Sequence, residues 1–305
     1  MRATVFLCFF LISGVAMAGW SGGETAWQPK QTQEKLSKKP LVVTLAVNDI
    51  YCADTSCSCV RYIASRKYTA LQKELKEKFK IDLQLRYFTS QFEFERALRK
   101  NEIDGAICKP WLAFRMARKH GMDYKRIADI QDPDNNLYLW GMLIVPKASS
   151  VKSLADISGK RLAMGKDDGY EKYYAAFELL HKNKIRPAKI MHRESCLENI
   201  GLMLDGKADA AIVSHYVLVA DCAVDMVKPD DFRQIAVTVK TPLTSVVLDF
   251  NKVSAVNAVR LRQALLEISK HEIPDFLGSG FVLPQAWTPQ LDIPAEFKSG
   301  ADDEE

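Results

Sequence analysis

The chain has 305 residues, 48% of them apolar, and a formal net charge of +4. That is length enough for one large or two ordinary cores. The charge is modest, is spread along the chain and gives way to an acidic end at Asp302 to Glu305, so the basic footprint of a nucleic-acid binder is missing. No segment reaches the roughly 18 apolar residues of a membrane-spanning helix.

Met1-Arg2 precedes an apolar run from Ala3 to Ala18 that ends Ala16-Met17-Ala18 before Gly19. Its length and its small-x-small ending read as a secretory signal peptide cleaved after Ala18, which predicts an exported, periplasmic protein. Cys8 lies inside the run and not at its end, which argues against a lipid-modified cysteine. Residues 19–39, with the KLSKKP patch near Lys35, read as a solvated linker.

Leu41 to Val47 is a continuous apolar run of the kind buried on both faces of a parallel sheet. Tyr68, Leu71, Leu75 and Phe79 fall on one helical face, and Ile81, Leu83, Leu85 and Tyr87 alternate as a strand. A helix carrying Phe94 and Leu98 closes before a strand over Ile103 to Cys108. This βαβαβ succession predicts right-handed crossovers and a mostly parallel sheet.

A loop cluster over Asp132 to Asn136 precedes a new strand at Leu139 to Val145. A buried strand from Arg161 to Met164 then meets a polar loop, a helix is expected near Tyr170, and a second helix ends at Gly206 before a strand over Ala208 to Val213. The second unit closes with Arg233 to Val237. A strand from Ser245 to Phe250 and a helix with Leu261, Leu265 and Ile268 on one face have no unit of their own. They are expected to return to the first.

The run YTALQKELKEKFKIDLQLRYFTSQFEFERALRKNEIDGAI, followed by GMLIVPKASSVKSLADISGKRLAMG and LDGKADAAIV, resembles the periplasmic solute-binding proteins of phosphate, phosphite and phosphonate ABC transporters. The similarity covers roughly residues 40 to 270 as many moderate matches. It implies an α/β, two-domain Venus-flytrap fold of the type II periplasmic binding class, with two mixed, mostly parallel sheets and a two-segment hinge. Lobe 1 is then residues 40–137 plus 242–290 and lobe 2 residues 138–241, with 291–305 an acidic tail. The hinge crossings fall near Leu137 to Gly141 and Thr238 to Pro242.

In relatives, the loop after the second-lobe strand offers a Ser/Thr-rich run before Gly, whose hydroxyls and helix N–H groups hold oxyanion oxygens. Here Lys166-Asp167-Asp168-Gly169-Tyr170 stands in that place. The two carboxylates oppose an anion that Lys166 attracts. Asp168 also suits a second role, capping the helix expected at Tyr170.

Loop position adds Tyr51, Cys52, Cys108, Lys109, Cys196, Ser214 and His215 to the expected lining, with Trp111 and Tyr51 as aromatic walls or core. Outside the leader, six cysteines remain: Cys52, Cys57, Cys59, Cys108, Cys196 and Cys222. In an exported protein they read first as disulfides. A convergence of Cys52, Cys57, Cys59, Cys108 and Cys196 on one cleft instead suits a soft metal or metalloid ion.

The resemblance implies a protein that closes on a small-molecule ligand and is read by an ABC permease or a membrane sensor. It implies a monomer that is not an enzyme, with no cofactor and no nucleic-acid partner. A thiol enzyme pairing a cysteine with His215 finds no local motif.

Overall fold

The computed structural model describes residues 26–27, 39–56, 64, 66–132, 134–220, 223, 227–269 and 280–300. The signal peptide, the Lys35 patch, Cys57, Cys59, Cys222 and Asp302 to Glu305 lie outside the described residues.

The first sheet has the order β13-β4-β12-β3-β1-β2. Its strands are β1 (Leu41–Asn48), β2 (Ile81–Tyr87), β3 (Gly105–Cys108), β4 (Tyr124–Ile130), β12 (Thr244–Asp249) and β13 (Phe281–Val282). One face is covered by α1 (Thr69–Phe79) and α6 (Ala255–Ile268), whose Leu71, Leu75, Leu261 and Leu265 pack with Val43, Leu45 and Val246. The other is covered by α2 (Gln91–Leu98) and α3 (Pro110–His120) through Phe94, Leu98, Trp111 and Phe114. Apolar cover on both sides is why the β1 run is continuous and not alternating. A Cβ at Gly105 would meet the Val247 carbonyl at 2.1 Å, so glycine lets β12 approach β3 there.

The second sheet runs β10-β6-β9-β7-β8, from β6 (Gly141–Pro146), β7 (Arg161–Gly165), β8 (Lys189–Arg193), β9 (Ala210–Ser214) and β10 (Phe232–Val237). Its faces are covered by α4 (Tyr174–Lys182) and α5 (Cys196–Leu204). Two short strands, β5 (Tyr138–Leu139) and β11 (Thr241–Pro242), pair antiparallel where the chain passes between the sheets. The crossing is pinned by the Gly141 N–H donating to Thr238 Oγ1 at 2.7 Å and the Thr238 N–H donating to the Gly141 carbonyl at 2.9 Å.

Both sheets are mixed. Parallel pairing is confined to β2-β1-β3 and β8-β7-β9, and the other neighbours run antiparallel, a smaller parallel share than the strand–helix alternation predicts. The reason is topological. β6 and β12 enter their sheets from the crossing strands and not through a helical crossover, so nothing forces them parallel.

Two expectations are corrected. α4 begins at Tyr174, its N-cap is Tyr173, and no side chain caps it, so Asp168 is not a helix cap. Residues 291–300 are not a free tail: Ile293 and Phe297 pack into the core of the second sheet, while Glu296 pairs with His181 at 2.6 Å and Arg186 at 2.9 Å. Upstream, the Gln285 carbonyl accepts from Arg126, and Trp287 packs against Phe114 of α3. The segment therefore straps the two sheets together. Its apolar residues were obscured in the sequence by their Pro- and acid-rich surroundings. Among the described residues, no helix is long and apolar enough to cross a membrane.

Candidate functional site

The loop after β1 is organised by one buried carboxylate. Asp49 accepts from Arg66 Nη1 at 2.7 Å, from the Tyr68 hydroxyl at 2.7 Å, from Thr244 Oγ1 at 3.1 Å and from the Tyr51 N–H at 3.2 Å. With its lone pairs used, Asp49 is a fastener of the loop and not a ligand receptor. Tyr51 is buried beside Ile50, Leu139 and Leu243 of the crossing, and its hydroxyl donates to Asp132 Oδ2 at 3.3 Å. Burial, then Asp132, raises its phenol far above the ordinary value.

β3 delivers Cys108 and Lys109 to the amino end of α3. Cys108 is fully buried, and burial holds its thiol protonated although its sulfur accepts from the Ala113 N–H. Lys109 is the N-cap position, followed by Pro110, whose missing N–H suits the first helical turn. Among the described residues the Lys109 ammonium has no hydrogen bond or salt bridge. Trp111 beyond it is fully buried, and its indole N–H has no acceptor among the described residues.

From the other sheet comes the loop after β7. Lys166 and Asp167 point outward, Lys166 to Glu194 at 3.2 Å and Asp167 to Arg115 of α3 at 3.3 Å. Tyr170 turns inward as core: its ring lies 6.4 Å from Trp111 and 5.6 Å from Trp287, and its hydroxyl accepts from the Gln290 N–H at 2.9 Å. These aromatic contacts join the second-sheet loop to the first-sheet helices.

The next two residues hold the charged centre. The Lys172 stem threads between Gly165 and Gly169, where a Cβ would approach it to 2.4 and 2.3 Å, and its ammonium donates to the Glu194 carbonyl at 3.0 Å and lies 3.6 Å from Asp168. Glu171 is 1% exposed. Its Oε1 accepts from the Ser214 hydroxyl at 2.5 Å, while its Oε2 has no partner among the described residues. Burial pushes this carboxyl up, but Lys109, Lys172 and the Ser214 hydroxyl together hold it below the ordinary range. It is ionised at neutral pH.

Ser214 ends β9 and connects Glu171 to α5. Its N–H donates to Cys196 Sγ at 3.3 Å, and the Cys196 thiol reaches Ser214 Oγ at 3.6 Å. Burial raises the Cys196 thiol, which keeps the proton for that contact. Ser195 and Glu198 form a capping box that fixes where α5 starts. His215 stacks on Trp140 with ring centroids 3.9 Å apart, and its buried Nδ1 has no partner among the described residues. Burial lowers its imidazole.

Of the residues singled out in the sequence, Lys109, Asp168, Cys196, Ser214 and His215 are thus gathered around Glu171, with Gly169 framing Lys172. Tyr51 and Cys52 lie with the Asp49 loop, and Lys166 and Asp167 on the outer rim. Cys52, Cys108 and Cys196 are free thiols in three separate packing clusters. Among the described residues, no group of three or more His, Cys, Asp or Glu is placed to hold a metal. Glu171 and Lys172 were missed because a Glu-Lys pair opening an expected helix reads as a solvated first turn. The paired glycines at 165 and 169 were the available signal of a side chain laid tightly against the loop.

A family profile described as "ABC transporter, phosphonate, periplasmic substrate-binding protein" matches residues 63–280. No curated protein sequence matches the chain. Among solved structures it is similar to XAC2383 from Xanthomonas citri bound to ATP, with 15% identity, TM-score 0.61, and coverage of 80% of this chain and 91% of that one. PhnD1 from Prochlorococcus marinus in complex with methylphosphonate shares 12% identity at TM-score 0.54, covering 81% and 93%. The periplasmic aliphatic sulphonate binding protein SsuA from Escherichia coli shares 13% identity at TM-score 0.51, covering 76% and 72%. At such identities the likeness carries the fold.

Proposed function

Because the chain belongs to the family of phosphonate ABC-transporter periplasmic substrate-binding proteins, we propose that it captures a small organic oxyanion, a phosphonate or sulfonate, between its two sheets and presents it to a permease. The protein acts after export and cleavage behind Ala18, as a monomer and without turnover. Residues 40–137 and 242–290 form one lobe and 138–241 the other, and the ligand's contacts to both favour the closed arrangement.

The observation that carries the reading is the Lys109 ammonium, which among the described residues stands without a salt bridge at the amino end of α3 and acts electrostatically on Glu171 from the opposite sheet. A cation beside a helix amino terminus favours an acid group. No nucleophile is activated beside it, since burial keeps the Cys108 and Cys196 thiols protonated.

Melting curves with a series of short phosphonates and sulfonates test this. At 100 times its dissociation constant, a ligand specific for the folded state adds about 2.7 kcal/mol, a shift of a few degrees. Stabilisation that disappears in Lys109→Met supports the reading. No shift with any member of the series contradicts it.

A further inference from the structure

Besides the paired crossing strands, side chains clasp the two sheets together at a second place. Arg115 of α3, on the first sheet, donates through Nη1 to the Asp167 carbonyl at 2.8 Å and to Asp167 Oδ2 at 3.3 Å, on the loop after β7 of the second. It also donates to the Tyr174 hydroxyl of α4. Its Nη2 pairs with Glu95 of α2 and its guanidinium lies 5.0 Å from the Trp111 ring centre, so the rigid fork is already aimed on its own side before it crosses. From the same second-sheet loop Tyr170, 1% exposed, docks among the Trp111 and Trp287 rings.

The strap adds a tether without slack. Leu291 packs with the α3 cluster and Asp292 pairs with Arg118 of α3 at 2.5 Å, while the next residue, Ile293, packs with the core of the second sheet. Consecutive Cα atoms stand about 3.8 Å apart. The sheets therefore cannot part at this edge unless one end of the strap lets go. The exposed Arg118 pair contributes little to that hold. Its strength comes from Trp287 against Phe114 at one end and Phe297 against Phe177 at the other.

We propose that these contacts form a latch. Arg115, Tyr170 and the strap hold the two sheets closed on each other by the protein's own side chains, and a ligand enters and leaves only while the latch is released. What passes the latch rests on the oxyanion-binding reading, but the closed resting state does not. A ligand's contacts then add to a closure already favoured, and do not have to create it. Entry and exit are both slowed, because each waits for the same opening.

Amide hydrogen exchange, on dialysed protein with no ligand added, tests this. The Gln290 N–H of the strap donates to the Tyr170 hydroxyl at 2.9 Å and is freed when that loop undocks. In wild type it should exchange at least about a hundredfold more slowly than an open amide, and Arg115→Ala should speed it about tenfold while β1 amides keep their rate. Free exchange of Gln290 in wild type overturns the latch, and so does an unchanged rate in the variant. Equal acceleration at Gln290 and in β1 assigns Arg115 to overall stability and overturns it as well. If Arg115→Ala does not fold, Arg115→Lys takes its place, keeping the charge beside Glu95 but not the fork. Stopped-flow binding of methylphosphonate separates the two claims. Association about tenfold faster in the variant supports gating, and association at the wild-type rate overturns it. No binding, with the exchange pattern intact, counts against the oxyanion reading and leaves the latch standing.

Discussion

The Ser214 hydroxyl is held between two groups with opposite needs: it donates to Glu171 Oε1 at 2.5 Å and receives the Cys196 thiol at 3.6 Å. Ser214→Ala removes the donor while the carboxylate stays buried, so it should cost about 1–3 kcal/mol of stability, measured by urea unfolding. Nearby, burial depresses the His215 imidazole, with Lys109 and Lys240 adding to burial and Glu171 and Asp132 opposing it. The unfolded chain therefore takes up the proton first as pH falls. The stability from keeping this ring neutral is fully present above the ordinary value of 6.5 and is lost as pH drops through 6.5 toward the depressed one. Unfolding free energies between pH 7.5 and 5 should decline more steeply for wild type than for His215→Asn, and parallel curves would contradict that origin. At this scale the sequence was partly legible. Ser214, His215 and Lys109 follow from their places after strands, but Glu171 does not, because its importance comes from burial that no local pattern encodes.

Single elements owe their placement to contacts distant in sequence. The loop after β7 extends to Tyr173 because Tyr170 docks among Trp111, Tyr174 and Trp287, a cluster drawn from α3, α4 and the strap. Helical periodicity around Tyr170 could not announce a partner more than a hundred residues away, so the predicted helix started too early. The strap escaped for the same reason, since Ile293 and Phe297 have meaning only against Phe177 and the rest of the second core. Phe297, 9% exposed, should cost about 3 kcal/mol when changed to Ala. Because this anchor fixes the segment that also carries Trp287, hydrogen exchange should quicken at Gln290 as well as locally. Loss of stability without faster exchange at Gln290 would mean that the two ends of the strap act independently. Strands were easier: β1 and β3 combine strong local patterns with burial on both faces, and the edge strand β2 alternates over its buried half, so local and global preferences agree.

Across the whole molecule, the two mixed sheets and the paired crossing strands β5 and β11 give the bilobal plan of the binding-protein family. That plan followed from strand–helix alternation and the orphaned final strand and helix, while the antiparallel entry of β6 and β12 did not, since direction within a sheet is set by the crossing. The plan brings Lys109 from one sheet toward Glu171 on the other, two residues 62 positions apart in the chain. The most direct test is a crystal structure of the protein grown with methylphosphonate. The account predicts ligand density between the ends of β3 and β7, with the phosphonate at Lys109. Density seated on the outer rim at Lys166, or touching only one of the two sheets, would contradict it.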